Sequence, residues 1–422
     1  MPSTKLSHLA ETLIESEIVK LGADIKEKIK QGKKIYNYTI GDFDSSIFPI
    51  PVELENEIIA SFKNHHTTYP PAEGIAELRA AVSNFIQTRE GITFDANEIL
   101  IAAGGRPLIY TAYRAIVDKG DKVIYAVPSW NNNHYVHFTE GDHIVIETKL
   151  ENNFMPTADE IKPHLKGTAL LALCSPLNPT GTTFTKEALQ AICDLVIAEN
   201  AQRGANEKKL YLLYDQIYWT LTFGKVQHYN PVSLRPLMKE FTIFIDGISK
   251  SFASTGVRVG WALGPARLIN KMKAINSHIG AWAPMAEQNA VANYLIQTSA
   301  VDTYFTNFKA ELEERLVNIY EGFQQLKSEG FSVEAIAPQA AIYLTIKIDL
   351  IGKTTNQGNK LESQADVTAY LLNEAALAIV PFSAFGTSAN NSWYRLSVGT
   401  CKKEEINEMF GKLKKALERL NT

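Results

Sequence analysis

The sequence predicts an α/β protein with a wound, mostly parallel sheet, helices on both faces of that sheet, and a smaller α+β domain. Two observations lead to this prediction. Between about residues 52 and 300, short apolar segments alternate with helix candidates, and each segment is near-continuously apolar, as strands covered on both faces are. After about residue 300 a long amphipathic helix is followed by separate strand candidates and a last helix.

The first predicted element is a helix over residues 9–31, where leucines and isoleucines recur at roughly helical spacing and Gly32 ends the pattern. A loop rich in turn residues follows at residues 40–51. Seven strands then alternate with helix candidates, which favours a parallel sheet. We place these strands at Glu98–Ala102, Lys122–Ala126, His143–Glu147, Ala169–Cys174, Leu210–Tyr214, Thr242–Asp246 and Val257–Leu263.

The C-terminal part begins with a predicted amphipathic helix whose apolar residues include Phe308, Leu312, Leu316, Ile319, Tyr320 and Phe323. The polar segment Lys353–Asp366 is expected to be a surface loop. Three strands are predicted at Ala341–Lys347, Leu377–Val380 and Trp393–Val398. A last helix is expected to carry on one face Ile406, Phe410, Leu413, Leu417 and Leu420.

Composition excludes several classes of protein. Of the 422 residues, 45% are hydrophobic, which is too many for a disordered chain. Lys and Arg number 42 against 46 Asp and Glu, so the net charge of −4 gives no electrostatic reason to bind nucleic acid or an anionic membrane. No apolar run approaches the roughly 18 residues of a membrane helix. Glu11, Glu15 and Glu17 interrupt the apolar stretch that a secretory signal needs.

Cysteine and histidine usage points away from disulfides and metals. Cys174, Cys193 and Cys401 form no C-x-x-C pair, which predicts reduced thiols in a cytoplasmic protein. The nine histidines show no H-E-x-x-H pattern. His134 and His137 share a potential helix face, but many solvated histidines do so, and no metal is expected.

Chemistry-bearing residues first appear after the fourth predicted strand, in Leu173–Gly181 (LCSPLNPTG). Asn178 lies between two turn-forming neighbours at the carboxyl edge of the sheet, where open α/β sheets bind ligands. Alone, the segment is more typical of a tight turn in which the asparagine hydrogen-bonds its own backbone.

The next strand ends in Tyr214-Asp215, with Tyr218 three residues later. An Asp at the end of a buried strand is unfavourable unless it pairs with a donor or a cation, and a cationic ring nitrogen would serve. Tyr218 would face the same side if a helical turn starts here. Alone, Asp215 is more typical of a helix N-cap.

A third segment places Ser249-Lys250 just after a buried strand, with Arg258 eight residues later. A lysine desolvated among small residues has a lowered pKa and can act as a Schiff-base nucleophile. Ser249 and Arg258 offer a hydroxyl and a cation suited to a phosphate. The alternative is that Lys250 is an ordinary surface lysine.

In the fourth segment Gly104-Gly105-Arg106 follows a strand, and Pro107 marks a helix start. Such a turn can present backbone N–H groups to an anion, although it lacks the pattern of a P-loop or a dinucleotide fingerprint. Together, the four segments supply a lysine, an anion cradle, an acid for a ring nitrogen and donors for a phenolate oxygen. Pyridoxal phosphate requires this set.

The sequence resembles the fold-type I pyridoxal-phosphate enzymes, and specifically the class I/II aminotransferases of the bacterial aspartate-aminotransferase-like subgroup. The resemblance extends from about Gly41 to Arg395. Its motifs are, in order, Gly41, Tyr69…Gly74, Gly104-Gly105-Arg106, Pro128-Ser129-Trp130, Asn178-Pro179-Thr180-Gly181, Asp215…Tyr218, Ser249-Lys250, Arg258 and Arg395-Leu396-Ser397.

The resemblance implies a role for each matched residue. Lys250 would hold the cofactor covalently and move the substrate Cα proton, Asp215 would pair with the ring nitrogen, and Tyr218 would bind the phenolate oxygen. Further cofactor contacts would come from Asn178 (phenolate oxygen), Trp130 (ring face), Gly105, Arg106, Ser249 and Arg258 (phosphate), and Tyr69 of a partner subunit (phosphate). The substrate α-carboxylate would be bound by Arg395, helped by Asn178 and the Gly41 backbone.

Two positions depart from the family pattern. Gly247 replaces a phosphate-binding serine that many members have, although some of the bacterial subgroup also have glycine. Gly41-Asp42-Phe43 replaces the usual G-x-P at the substrate entrance.

The resemblance implies a homodimeric transaminase that acts by a ping-pong route on an amino acid and a 2-oxo acid. The expected domains are residues 49–300 for cofactor binding and a small domain formed by residues 1–48 and 301–422. Arg106 occupies the position of a lysine that reaches the distal carboxylate of dicarboxylic substrates in the subgroup, so we expect an acidic partner such as glutamate, 2-oxoglutarate or aspartate. Alternatives on the same fold are a carbon–sulfur β-lyase and an aminocyclopropane-carboxylate-type synthase.

Overall fold

The computed structural model describes residues 5–14 and 17–421. Its N-terminal part contains α1 (His8–Thr12), α2 (Glu17–Lys30), β1 (Tyr36–Asn37), α3 (Val52–Lys63) and α4 (Ala76–Glu90). The single helix predicted over residues 9–31 is therefore wrong, because α1 and α2 are separate helices. Ser7 caps α1, and the extended backbone of Leu13 ends it. Residues 15 and 16 lie outside the described part of the chain.

The central sheet has seven strands in the order β2-β8-β7-β6-β5-β3-β4. β8 runs antiparallel to both of its neighbours, β2 and β7, and the remaining neighbouring strands of this sheet pair in parallel. The strands are β2 (Ile99–Ala102), β3 (Lys122–Val127), β4 (Asp142–Glu147), β5 (Thr168–Cys174), β6 (Tyr211–Asp215), β7 (Thr242–Gly247) and β8 (Gly260–Leu263). The helices between and after them are α5 (Gly105–Ile116), α6 (Asn132–Thr139), α7 (Ala158–Ile161), α8 (Lys186–Gln202), α9 (Pro231–Leu234), α10 (Ile248–Ser251), α11 (Ala266–Ile279) and α12 (Met285–Leu295).

The structure confirms the prediction of a mostly parallel α/β sheet. The predicted start of the last strand at Val257 is wrong by three residues, because residues 254–259 form a turn. In that turn the Val257 N–H donates to the Ser254 carbonyl, and Arg258 adopts a positive φ of 63°.

The C-terminal part is α+β. Its elements are α13 (Thr298–Ser328), β9 (Val333–Ala335), β10 (Tyr343–Ile348), β11 (Thr354–Thr355), α14 (Gln364–Glu374), β12 (Leu377–Ala378), β13 (Val380–Pro381), β14 (Trp393–Ser397), α15 (Ile406–Glu418) and β15 (Leu420–Asn421). The predicted strand Leu377–Val380 is two strands, because β12 pairs with β1 whereas β13 pairs with β14. Leu420 lies in β15 and not in the last helix, and the predicted loop at residues 353–366 contains β11.

Apolar packing connects the N-terminal segment, the central sheet and the C-terminal part in two places. The N-terminal residues Tyr36, Tyr38 and Phe48 pack in the C-terminal core with the greater part of α13. The first turns of α13, through Val301 and Phe305, instead pack on the central-sheet core. Because α13 contributes to both cores, the domain limits at residues 48 and 300 stay a prediction. No helix in the described ranges is long and apolar enough to cross a membrane.

Candidate active site

The predicted site residues follow the carboxyl ends of three adjacent parallel strands. Asn178 lies in the turn after β5, Asp215 is the last residue of β6, and Lys250 lies three residues after β7. Strand pairing aligns Cys174 with Asp215 and Asp215 with Ile245, so the three turns emerge from one edge of the sheet. This edge is where the sequence predicted a ligand.

Lys250 is held by the N-terminal segment. Its Nζ donates a hydrogen bond to the Gly41 carbonyl at 2.6 Å and lies 6.0 Å from the centre of the Tyr218 ring. Burial lowers the pKa of Lys250 to about 8; the nearby charge of Asp42 opposes this shift, and Arg395 adds to it. The lowered pKa makes the neutral amine, which is the nucleophilic form, far more accessible near neutral pH than it is for an ordinary lysine.

Asp215 has no cationic partner among the described residues. Its carboxylate accepts one hydrogen bond, from the Ile217 N–H at 3.1 Å. Burial raises the pKa of Asp215 to about 6, and that hydrogen bond only partly opposes the shift. Since a buried carboxylate favours a cation beside it, the position fits the protonated nitrogen of a ring.

Glycines bring the backbone of α5 close to Arg258. Gly104 precedes α5 with a φ of 85°, and a Cβ on it would lie 2.8 Å from the Arg258 Cζ. The Arg258 guanidinium donates to the Ala103 carbonyl at 2.7 Å, beside the free N–H groups at the start of α5. A cation next to helix N–H groups can bind an anion, and Ser249, which is buried just after β7, carries a further hydroxyl.

The same packing accounts for Gly247, which departs from the family pattern. Gly247 faces Gly260 across β7 and β8, and a Cβ on Gly247 would lie 2.7 Å from the Gly260 Cα. A Cβ on Gly260 would in turn lie 2.7 Å from the Gly104 carbonyl carbon. A serine at 247 would push these backbones apart, so the phosphate site here relies on other residues.

Arg395 is a buried guanidinium that has no counter-ion among the residues that the structure describes. It is 2% exposed, donates to Asn178 Oδ1 at 3.1 Å and to the Thr39 carbonyl at 2.6 Å, and leaves its Nε without a partner among the described residues. The rings of Tyr343 and Phe385 lie 4.8 and 4.9 Å from its Cζ. Burial lowers the pKa of Arg395. Such a site attracts a planar anion, and a carboxylate fits the guanidinium bidentately.

The remaining predicted residues fall into two groups. Arg106 is exposed, lies with its Cζ 5.5 Å from the centre of the Trp130 ring, and lowers the pKa of Lys250, so both Arg106 and Trp130 lie near the site. Tyr69 is 84% exposed, and its ring centroid lies 5.4 Å from that of Trp282.

Sequence reasoning missed three contributors. Thr39 supplies its carbonyl to Arg395, Tyr343 contacts both Tyr218 and Arg395, and Tyr135 lies near both Arg106 and Asp215. In the sequence, Tyr343 is one aromatic residue in an apolar strand, and Thr39 acts through its backbone. No sequence motif therefore marks either of these two residues. Within the described ranges, no cluster of three or more His, Cys, Asp or Glu side chains is placed to hold a metal.

The residues present fit pyridoxal phosphate on these structural grounds. The chain offers a desolvated lysine, an unpaired buried acid, hydroxyl and amide donors, and an anion cradle at a glycine turn. Each group lacks a full set of protein partners, which the cofactor and a substrate carboxylate would complete.

Comparisons with known proteins agree with this geometry. The family described as aminotransferase class I and II matches residues 33–413. Aspartate aminotransferase of Rhizobium meliloti strain 1021 is 26% identical over 422 residues, covering 99% of this chain and 95% of the relative. Aspartate aminotransferase of Bacillus subtilis strain 168 is 27% identical over 418 residues, covering 98% of this chain and 99% of the relative.

Solved structures give the same result. The crystal structure of aspartate aminotransferase from Rhizobium meliloti superposes with a TM-score of 0.89 at 25% identity, covering 99% of this chain and 100% of that chain. Thermus thermophilus aspartate aminotransferase with maleate superposes with a TM-score of 0.86 at 26% identity, covering 98% of this chain and 100% of that one. Neither comparison favours a β-lyase or a synthase.

Proposed function

Since the chain belongs to the aminotransferase class I and II family and is a pyridoxal-phosphate-dependent transaminase, we propose that at least one of its substrates is acidic. Glutamate with 2-oxoglutarate is the default pair, and aspartate is the second candidate. The observation that carries this proposal is Arg106, an exposed guanidinium near Lys250 that forms no salt bridge among the described residues. A related structure was solved with maleate, which is a dicarboxylate.

The residues of the site divide the work of transamination. When bound, pyridoxal phosphate supplies an electron-withdrawing ring that stabilises negative charge at the substrate Cα. Lys250 would hold the cofactor covalently and would move a proton at that carbon, for which a pKa of about 8 is suitable. Asp215 would hold the ring nitrogen as a cation. Asn178 and Tyr218 would donate to the phenolate oxygen, and Trp130 would cover the ring.

The substrate is oriented from both ends. Arg395 binds the α-carboxylate, because it is buried, without a counter-ion and hydrogen-bonded to Asn178. The phosphate is bound at Gly105, Ser249 and Arg258. Arg106 has two possible tasks, a contact to the phosphate or to the distal carboxylate of the substrate, and the proposal assigns it the second.

Arg106→Leu tests this assignment. A hydrogen bond between charged groups contributes about 1.5–3 kcal/mol. The expected result is therefore that kcat/KM for glutamate falls on the order of 10-fold or more, whereas kcat/KM for alanine changes far less. Arg114→Leu, on the same helix and near the surface, is the matched control and should leave both values unchanged. An equal fall for both amino acids would assign Arg106 to the cofactor phosphate and remove the observation on which the acidic-substrate proposal rests.

We also propose that the active unit is a homodimer. Tyr69 is 84% exposed and contacts Trp282, so its hydroxyl is free to reach a second subunit, as the family role of this tyrosine requires. Tyr69→Ala and Lys250→Ala are each expected to be inactive, and mixing them with reassembly should restore part of the activity. A fully active monomer in sedimentation experiments would contradict the dimer.

A cytoplasmic location is proposed on the basis of cysteine usage. Cys174, Cys193 and Cys401 are all free thiols, and two of them are buried. This usage is typical of proteins in reducing compartments. Fractionation of cells that express the chain would test the location.

A further inference from the structure

Tyr343 lies where the two parts of the site meet. It is the first residue of β10, is 2% exposed, and pairs with Ser397 on β14, the strand that carries Arg395. Its hydroxyl oxygen lies 2.6 Å from that of Tyr218, and the two rings meet edge to face with centroids 5.5 Å apart.

Three further contacts fix this side chain. The Arg395 guanidinium lies over the Tyr343 ring at 4.8 Å. A Cβ on Gly41 would lie 2.9 Å from the Tyr343 hydroxyl oxygen, so the hydroxyl occupies the space beside the carbonyl that Lys250 binds. Gly181 of the Asn178 turn packs directly against the Tyr343 carbonyl. Tyr343 therefore contacts the residues around the cofactor and those around the substrate carboxylate at the same time.

The direction of the hydrogen bond follows from a count of protons. A phenol carries one hydrogen, and Tyr218 uses it to donate to the phenolate oxygen of the cofactor. The 2.6 Å contact then requires Tyr343 to donate and Tyr218 to accept. Burial raises the pKa of both phenols, so both keep their protons near neutral pH. When Tyr218 accepts this hydrogen bond, its own O–H becomes more polarised, and the hydrogen bond from Tyr218 to the phenolate oxygen is strengthened.

We propose that Tyr343 is a positioning residue that, by donating to Tyr218 and supporting Arg395, couples the cofactor's phenolate oxygen to the substrate-carboxylate site. This inference rests on the proposed roles of Tyr218 and Arg395 and adds a residue to them. The hydroxyl and the ring of Tyr343 can be tested separately, because the hydroxyl acts on Tyr218 and the ring acts on Arg395.

Tyr343→Phe isolates the hydroxyl, and pH titration of the visible absorbance of the lysine-linked cofactor is the readout. The deprotonated form of that link places more negative charge near the phenolate oxygen, so a weaker Tyr218 donor makes deprotonation harder. The apparent pKa of the linked cofactor should rise by about 0.2 unit, because loss of the Tyr343 donor weakens the hydrogen bond from Tyr218 to the phenolate oxygen and does not remove it. The KM for the amino acid should change less than about twofold, because the ring beneath Arg395 remains.

A double-mutant cycle separates coupling from a general packing effect. In the Tyr218→Phe background, Tyr343→Phe should produce no further shift, because its route to the cofactor is gone. Tyr394→Phe is the matched control: it lies on the neighbouring strand, is buried, and its hydroxyl has no partner among the described residues, so it should leave the titration unchanged. Additive shifts, or no shift in Tyr343→Phe, would overturn the proposal.

Tyr343→Leu removes the ring as well, and should in addition raise KM for the amino acid several-fold through Arg395. If Tyr343→Phe fails to fold, the same titration of Tyr343→Leu should show the rise in the apparent pKa, and an unchanged pKa there would count against the proposal. The titration uses no substrate, so failure of the acidic-substrate proposal would leave its result intact.

Discussion

Two buried arginines, Arg315 in α13 and Arg395 in β14, differ in what surrounds their charge. Arg315 is 4% exposed, forms a salt bridge with Glu311 at 2.8 Å, and donates through Nε to the Cys401 carbonyl at 2.8 Å. Arg395 is 2% exposed, lies against two aromatic rings, and has no acidic partner in the described part of the chain. Because both are buried, burial alone does not distinguish a structural arginine from a binding one.

Two buried acids repeat the contrast. Asp246 accepts from the Trp219 indole at 2.8 Å and from the Gly247 N–H at 2.7 Å, so both of its oxygens are satisfied within the fold. Asp215 accepts only one hydrogen bond. The fold therefore completes the polar groups that support its own structure and leaves incomplete those that a ligand completes.

The largest effect is expected for Lys250→Ala. Removing both the covalent link and the proton carrier should lower kcat/KM on the order of 10⁴-fold or more. Lys309→Ala is the control, since Lys309 also has a pKa lowered by burial but lies on α13, and it should keep near-normal activity. Residual activity of Lys250→Ala within tenfold of the unmodified protein would remove Lys250 from its proposed role.

The comparison of the two arginines predicts that one substitution lowers activity and the other lowers stability. Arg395→Leu should lower kcat/KM on the order of 10²–10³-fold, since about 2–5 kcal/mol of binding is lost. Its free energy of unfolding should change little, because removing a buried charge that has no acidic partner offsets the donors lost by Asn178 and Thr39. Arg315→Leu should lower the free energy of unfolding by about 1–3 kcal/mol, because buried partners lose their donors, and leave kcat/KM within a few-fold. Denaturant unfolding and steady-state kinetics on both variants measure this. Equal losses in the free energy of unfolding would contradict the distinction between Arg395 as a binding residue and Arg315 as a structural residue.

The buried acid Glu90 gives a smaller, pH-dependent effect. Burial raises the pKa of Glu90 from 4.5 to about 8, so the folded state binds more protons than the unfolded state between these values. Its contribution to stability is complete below about pH 4.5 and declines as the pH rises towards 8. Neighbouring His228, whose pKa burial lowers from 6.5 to about 3, contributes the opposite slope only below about pH 6.5.

Glu90→Gln should therefore remove a decline of about 2 kcal/mol in the free energy of unfolding between pH 6.5 and 8. Glu77→Gln, exposed at the other end of α4, is the control and should leave the profile unchanged. A decline that persists in Glu90→Gln would show that Glu90 is already ionised in the folded protein.

The smallest effect concerns two fully buried tyrosines. The Tyr214 hydroxyl donates to the Tyr229 carbonyl at 2.8 Å, whereas the Tyr294 hydroxyl has no partner among the described residues. Tyr214→Phe should lower the free energy of unfolding by about 1 kcal/mol, and Tyr294→Phe should change it by less than about 0.5 kcal/mol. Thermal unfolding of both variants provides the test, and a larger loss in Tyr294→Phe would reveal an unrecognised partner.

The sequence alone predicted the succession of strands along the chain, with Asn178 in the turn after β5, Asp215 at the end of β6 and Lys250 just after β7. These features are local, because a strand and the turn after it are encoded within about ten residues by apolar runs and turn residues. It did not determine the break between α1 and α2 or the change of partner between β12 and β13. Periodicity records which residues are apolar and not which strand they pair with.

Only the tertiary structure decided which buried charges lack partners. Lys250 meets the Gly41 carbonyl 209 positions away, and Arg395 meets Asn178 217 positions away. Tyr343 reaches Tyr218 across 125 positions. Hydrogen bonds act over about 3 Å, so such contacts depend on how distant segments pack together, and no spacing pattern within one segment specifies them.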